Sequence, residues 1–122
     1  MNNDTIAAID SQERKMAHII AETLNAHIGK KQAITNRELQ QQFPELSERS
    51  VQSIINYIRN SDLVLCLVAS SQGYYVAETE TELTDYEKSL NNRIGELVKV
   101  RDQVARQRAL RFKRSYQEKL FK

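Results

Sequence analysis

The chain has 122 residues, 40% of them hydrophobic and 28% charged, with a net charge of +2. That length suits one domain with some chain to spare, and the balance excludes a polytopic membrane protein and a disordered polyelectrolyte. A single cysteine, Cys66, excludes an intramolecular disulfide framework.

No window approaches the ~18 to 20 apolar residues of a membrane span. The start, MNNDTIAAIDSQE, has neither the basic start nor the apolar core of a signal peptide. These features predict a cytoplasmic protein. The charge is uneven. From Arg101 to Lys122 there are eight basic and two acidic residues, against ten basic and fourteen acidic in the preceding hundred. A basic tail on an acidic body suits either a polyanion or an acidic protein as partner.

Residues 1–9 show no periodicity and are expected to be loose. Asp10 and Glu13 have the spacing of a capping box. Met16, Ile19, Ile20, Leu24 and Ile28 then recur at helical spacing, which predicts one apolar face of a helix stopped by Gly29. Ala33-Ile34 has room only for a bridging strand. Thr35 and Glu38 form a second box, opening a short helix with Leu39 and Phe43 inward and Pro44 at its end. Ser47 is a good N-cap for a third helix, in which Val51, Ile54, Ile55 and Ile58 make the buried stripe. Asn60-Ser61-Asp62 breaks it.

Leu63 to Ala69, LVLCLVA, reads as a strand, with Cys66 as a small core residue. Ser70-Ser71-Gln72-Gly73 is a turn with glycine at the position that needs positive φ, and Tyr74 to Ala77 is the returning strand. Strand alternation sends Tyr74 and Tyr75 to opposite sides, one toward the core and one toward solvent. Thr79 and Glu82 make a third box, and no proline interrupts the chain from there to Tyr116. Leu83, Tyr86, Leu90, Leu97, Val100 and Val104 follow a seven-residue repeat, with Arg93 at one seam position and Ile94 beside it. Residues Leu90, Ile94, Leu97, Val100 and Val104 are therefore the expected dimerisation surface of a coiled coil roughly 33 Å long.

The predicted fold class is mainly α: three helices plus a β-hairpin over 10–78, a long C-terminal helix over 79–116, and a basic tail over 117–122. The element order is that of a winged helix-turn-helix. ITNRELQQQFPELSERSVQSIINYIRN is similar to the helix-turn-helix core of winged-helix DNA-binding domains. SSQGYYVAETETELTDYEKSLNNR resembles the wing and following helix of small winged-helix proteins of bacteriophages and prophages. The resemblance covers residues 14 to 108. It departs at Asn60-Ser61-Asp62, where a glycine is usual, and at the wing tip, which has no lysine or arginine.

The resemblance implies that helix 48–60 enters the major groove. Its face opposite the apolar stripe carries Arg49, Gln52, Ser53, Asn56 and Arg59. Arginine pairs with guanine, and glutamine or asparagine with adenine, so Arg49, Gln52, Ser53 and Asn56 are the candidate base contacts. Thr35, Asn36, Arg37, Ser47, Ser50 and Arg59 are the candidate phosphate contacts. Glu48 opposes phosphate binding at this place.

Catalysis has little to rest on. His18 and His27 are nine residues apart, half a turn out of phase on one helix, and no serine or cysteine stands in a nucleophile motif. No enzyme, cofactor, metal or small-molecule ligand is expected. The expected partners are double-stranded DNA and a second copy of the chain, in transcription regulation or replication of phage or prophage type. The alternative is an adaptor that uses the same module and coiled coil to bind a host or phage protein.

Overall fold

The computed structural model describes residues 9–113. They form a mainly helical structure with a small two-stranded antiparallel sheet. In chain order the elements are α1 (Ser11–Asn25), a 3-10 turn (Lys30–Gln32), α2 (Asn36–Gln42), α3 (Glu48–Asn60), β1 (Leu67–Ser70), β2 (Gly73–Val76) and α4 (Glu80–Arg108), followed by a π-helical turn, Ala109–Lys113. Residues 114–116, expected to continue the last helix, and the basic tail 117–122 lie outside the described residues. Two compact units divide at Leu83 and Thr84.

Each of the first three helices opens on the cap its sequence supplies. Asp10 and Glu13 close a reciprocal box, with Glu13 N donating to Asp10 Oδ1 at 2.7 Å. Thr35 and Glu38 do the same for α2, and Ser47 accepts from Ser50 N for α3. Each cap satisfies an orphan N–H group and contributes about 1 kcal/mol. The core lies where α1 crosses α3: Ile20, Leu24, Leu39, Val51, Ile54 and Ile58 are fully buried. Each such aliphatic side chain contributes about 1.5–3 kcal/mol by leaving water.

The apolar face of α1 differs from the expected one. Ala17, Ile20, Ala21 and Leu24 are buried, while Ile19 is 49% exposed. The helix also ends at Asn25, short of Ile28, which is 51% exposed. Competition from β2 explains the early stop. Val76 N donates to His27 O at 2.8 Å, and Gly29 N donates to Val76 O at 2.8 Å. Ile28 thereby forms a parallel bridge to Val76, and Gly29 adopts φ +86°.

The run from Leu63 to Ala69 is a strand only from Leu67. Asp62 and Cys66 have positive φ, 59° and 64°, and an extended ladder cannot pass through such residues. Val64 is buried, Leu65 is 66% exposed, and Cys66 is exposed. The left-handed bend turns the thiol outward while Cys66 O accepts from Ala77 N. Cys66 is therefore not a core residue.

Leu67 pairs with Val76 and Ser70 with Gly73, leaving Ser71-Gln72 as the turn. Gly73 has φ +122°, as a positive-φ glycine was expected there. Ile34 joins Tyr74 in an antiparallel bridge, with Tyr74 N donating to Ile34 O at 2.7 Å and Ile34 N to Tyr74 O at 2.9 Å. The expected bridging strand is thus present. Tyr74 packs against the core, but Tyr75 is only 5% exposed, so neither tyrosine faces solvent. Alternation separates them correctly, yet Val68 and Tyr75 show that the other side of the hairpin is covered too.

Helix α4 opens on the Thr79–Glu82 box, with Thr79 N donating to Glu82 Oε1 and Glu82 N to Thr79 Oγ1, both at 3.2 Å. Over its 29 residues no side chain is buried. A Cβ at Gly95 would meet nothing within 4 Å. Gly95→Ala is therefore expected to stabilise α4 by about 1 kcal/mol, seen as higher helicity and later melting by circular dichroism.

Candidate nucleic-acid interface

The geometry of α3 follows from its composition. Four β-branched residues at 51, 54, 55 and 58 turn inward. At 100° per residue the opposite face must carry 49, 52, 56 and their neighbours. Arg49, Gln52 and Asn56 are exposed, and Ser53 is half-buried. Arg49, Gln52 and Asn56 have no hydrogen-bond or ion-pair partner among the described residues. Their donors and acceptors are available to a ligand.

The candidate phosphate residues divide differently. The Thr35 hydroxyl is committed to its own box, accepting from Glu38 N at 3.1 Å and donating to Glu38 Oε1 at 3.0 Å. Ser47 Oγ accepts from Ser50 N and donates to Ser50 Oγ, both at 3.1 Å. Asn36 is a tie between elements. Its Nδ2 donates to Glu48 O at 3.3 Å and to Tyr74 Oη at 3.4 Å, while its Oδ1 accepts from Gln40 at 2.6 Å. Half-buried Arg59 donates through Nη2 to Leu67 O at 3.3 Å, joining α3 to β1. Arg37 alone among these six is an exposed cation with no partner among the described residues.

Sequence reasoning missed the tie that Asn36 makes. Its consequence is positional: the start of α2, the start of α3 and the hairpin are held to one another through one amide. Glu48 is exposed beside Arg49, and α4 carries the ion pairs Lys99–Glu96 and Arg101–Asp102.

Two capping carboxylates titrate low. The Thr35 backbone N–H, then its hydroxyl, holds Glu38 below the ordinary glutamate range. The Glu78 backbone N–H does the same for Glu82, with smaller help from Lys30 and Thr79. A lowered folded-state pKa favours folding at pH above the unfolded value, and that contribution disappears as pH falls through the folded value. The Glu82→Gln variant is therefore expected to show a flatter loss of stability between neutral pH and about pH 3. Urea unfolding at several pH values measures this; equal slopes for variant and wild type would contradict it.

An open cleft of about 650 Å³ lies between the 3-10 turn and the hairpin turn, lined by Lys30, Lys31, Gln72, Glu78 and Glu82 among others. Opposed charges line it, and Glu82 already accepts from Glu78 N at 2.6 Å and Lys30 N at 3.1 Å. His27 lies beyond the end of α1, where its Nδ1 donates to Gln32 O at 2.7 Å. No three metal-ligating side chains converge among the described residues, and no helix there is long and apolar enough to cross a membrane.

Comparison with known proteins gives no match to a family, a curated protein or a solved structure.

Proposed function

We propose that the chain is a duplex-DNA-binding protein of winged helix-turn-helix type, acting in transcription control or replication of a phage or prophage, in the cytoplasm and without catalysis. One observation carries the reading: the outer face of α3 presents Arg49, Gln52 and Asn56, all exposed and without partners among the described residues, on a helix whose other face is locked into the core. Supporting it are the order of helices and hairpin, the Ile34–Tyr74 bridge and the Asn36 tie. Exposed Arg37 is the proposed phosphate contact, and Arg59, bonded to Leu67 O, is proposed to hold the helix in position rather than bind the backbone of DNA. Pairing of two copies through α4 would present two such helices to an inverted repeat and raise affinity through effective concentration.

Selection from a pool of random duplexes tests the proposal. It predicts enrichment of a defined sequence by the wild type. A second reading, the protein-binding adaptor, is favoured by the uncharged hairpin turn and by exposed Leu65 on the adjoining bend. Absence of duplex binding even at low salt, with a folded chain, would favour the adaptor.

A further inference from the structure

Within the second unit, α4 exposes a row of large apolar side chains: Ile94, Leu97, Val100 and Val104 are 56–68% exposed. In heptad terms Leu90, Leu97 and Val104 share the a position, and Arg93, Val100 and Gln107 the d position. The charges on this stretch are segregated along its length. Residues 84–98 hold three acidic and two basic side chains, a net −1. Residues 99–113 hold one acidic and six basic, a net +5.

We propose that a second copy of the chain covers this row, with the two helices antiparallel. The inference rests on the pairing reading above and settles its direction. A parallel pair would set the two +5 segments side by side and place Arg93 opposite Arg93 in the seam. An antiparallel pair sets each +5 segment against a −1 segment and separates the two Arg93 side chains. Full overlap of residues 84–113 brings Leu97 opposite Val100 twice at the centre. Arg93 then faces Val104, with its stem available for apolar contact and its head for solvent. In the flanking e positions, Glu87 comes within two residues, about 3 Å along the axis, of Arg108 of the other copy, a favourable pair made twice. The ion pair beside this row is exposed: the Glu96 and Lys99 side chains are 73% and 75% accessible. Their present contacts are too weak to oppose rearrangement.

The test uses the full chain with Cys66→Ser and one new labelled cysteine, either Lys88→Cys or Lys99→Cys, both off the seam. Spin-label distances are then measured within the dimer. Antiparallel pairing puts the two labels at 88 about 31 Å apart along the axis, and the two at 99 almost level. The expected result is a long distance for 88 and a much shorter one for 99. Similar short distances for both would overturn the antiparallel arrangement while leaving pairing intact. A monomer by sedimentation at all concentrations would overturn the pairing itself. Neither outcome bears on whether α3 binds DNA.

Discussion

Gly73→Ala is expected to destabilise the fold by about 3–5 kcal/mol, a large share of the 5–15 kcal/mol typical of a domain. Two causes add. The backbone at Gly73 sits at φ +122°, where an L side chain is strained by about 1–3 kcal/mol. A Cβ there would also stand 2.5 Å from Ile34 O, 2.6 Å from its carbonyl carbon and 2.9 Å from Thr35 N. All three are backbone atoms, so no side chain can swing away. Relief requires breaking the Ile34–Tyr74 bridge, and with it the placement of Thr35 at the head of α2. Urea unfolding followed by far-UV circular dichroism measures the cost. A change below about 1 kcal/mol would show that the hairpin does not press on Ile34 in solution.

Arg49→Ala and Gln52→Ala are each expected to weaken binding to a selected duplex by about 1–3 kcal/mol, with no loss of folding stability. The reason is the same for both: an exposed side chain without a partner contributes little to the fold, so its removal is felt only by a ligand. Arg59→Ala should behave in the opposite way. It removes the bond to Leu67 O and costs about 1 kcal/mol of stability, with a smaller effect on binding. Titration of labelled duplex, paired with thermal melts, separates the two patterns. Equal duplex affinity for wild type, Arg49→Ala and Gln52→Ala would remove base reading by α3.

Much of this architecture is legible in the sequence because local rules decide it. The boxes at Asp10, Thr35 and Thr79 need only three-residue spacing. The buried face of α3 needs only the period of 3.6. Where the sequence misleads, a distant segment intervenes. The backbone of β2 takes His27 and Gly29 and ends α1 at Asn25. Positive φ at Cys66 interrupts a run of uniform hydrophobicity, which offers no signal of a bend. Tyr75 is covered on a side that alternation alone assigns to solvent. The candidate site divides along the same line. Helical spacing identifies which polar residues share the outer face of α3, but not which are already bonded. Nothing local separates Asn36 and Arg59 from Arg37 as candidate contacts, and only tertiary contacts at Glu48, Tyr74 and Leu67 do so.

The central claim is that the outer face of α3 meets DNA. The most direct measurement is an amide chemical-shift titration of the full isotopically labelled chain with a selected duplex. The largest shifts are expected at Arg49, Gln52, Ser53 and Asn56, with smaller ones at Arg37. Shifts confined to residues beyond Arg101, with α3 unchanged, would contradict the claim and leave the basic C-terminal segment as the only nucleic-acid contact.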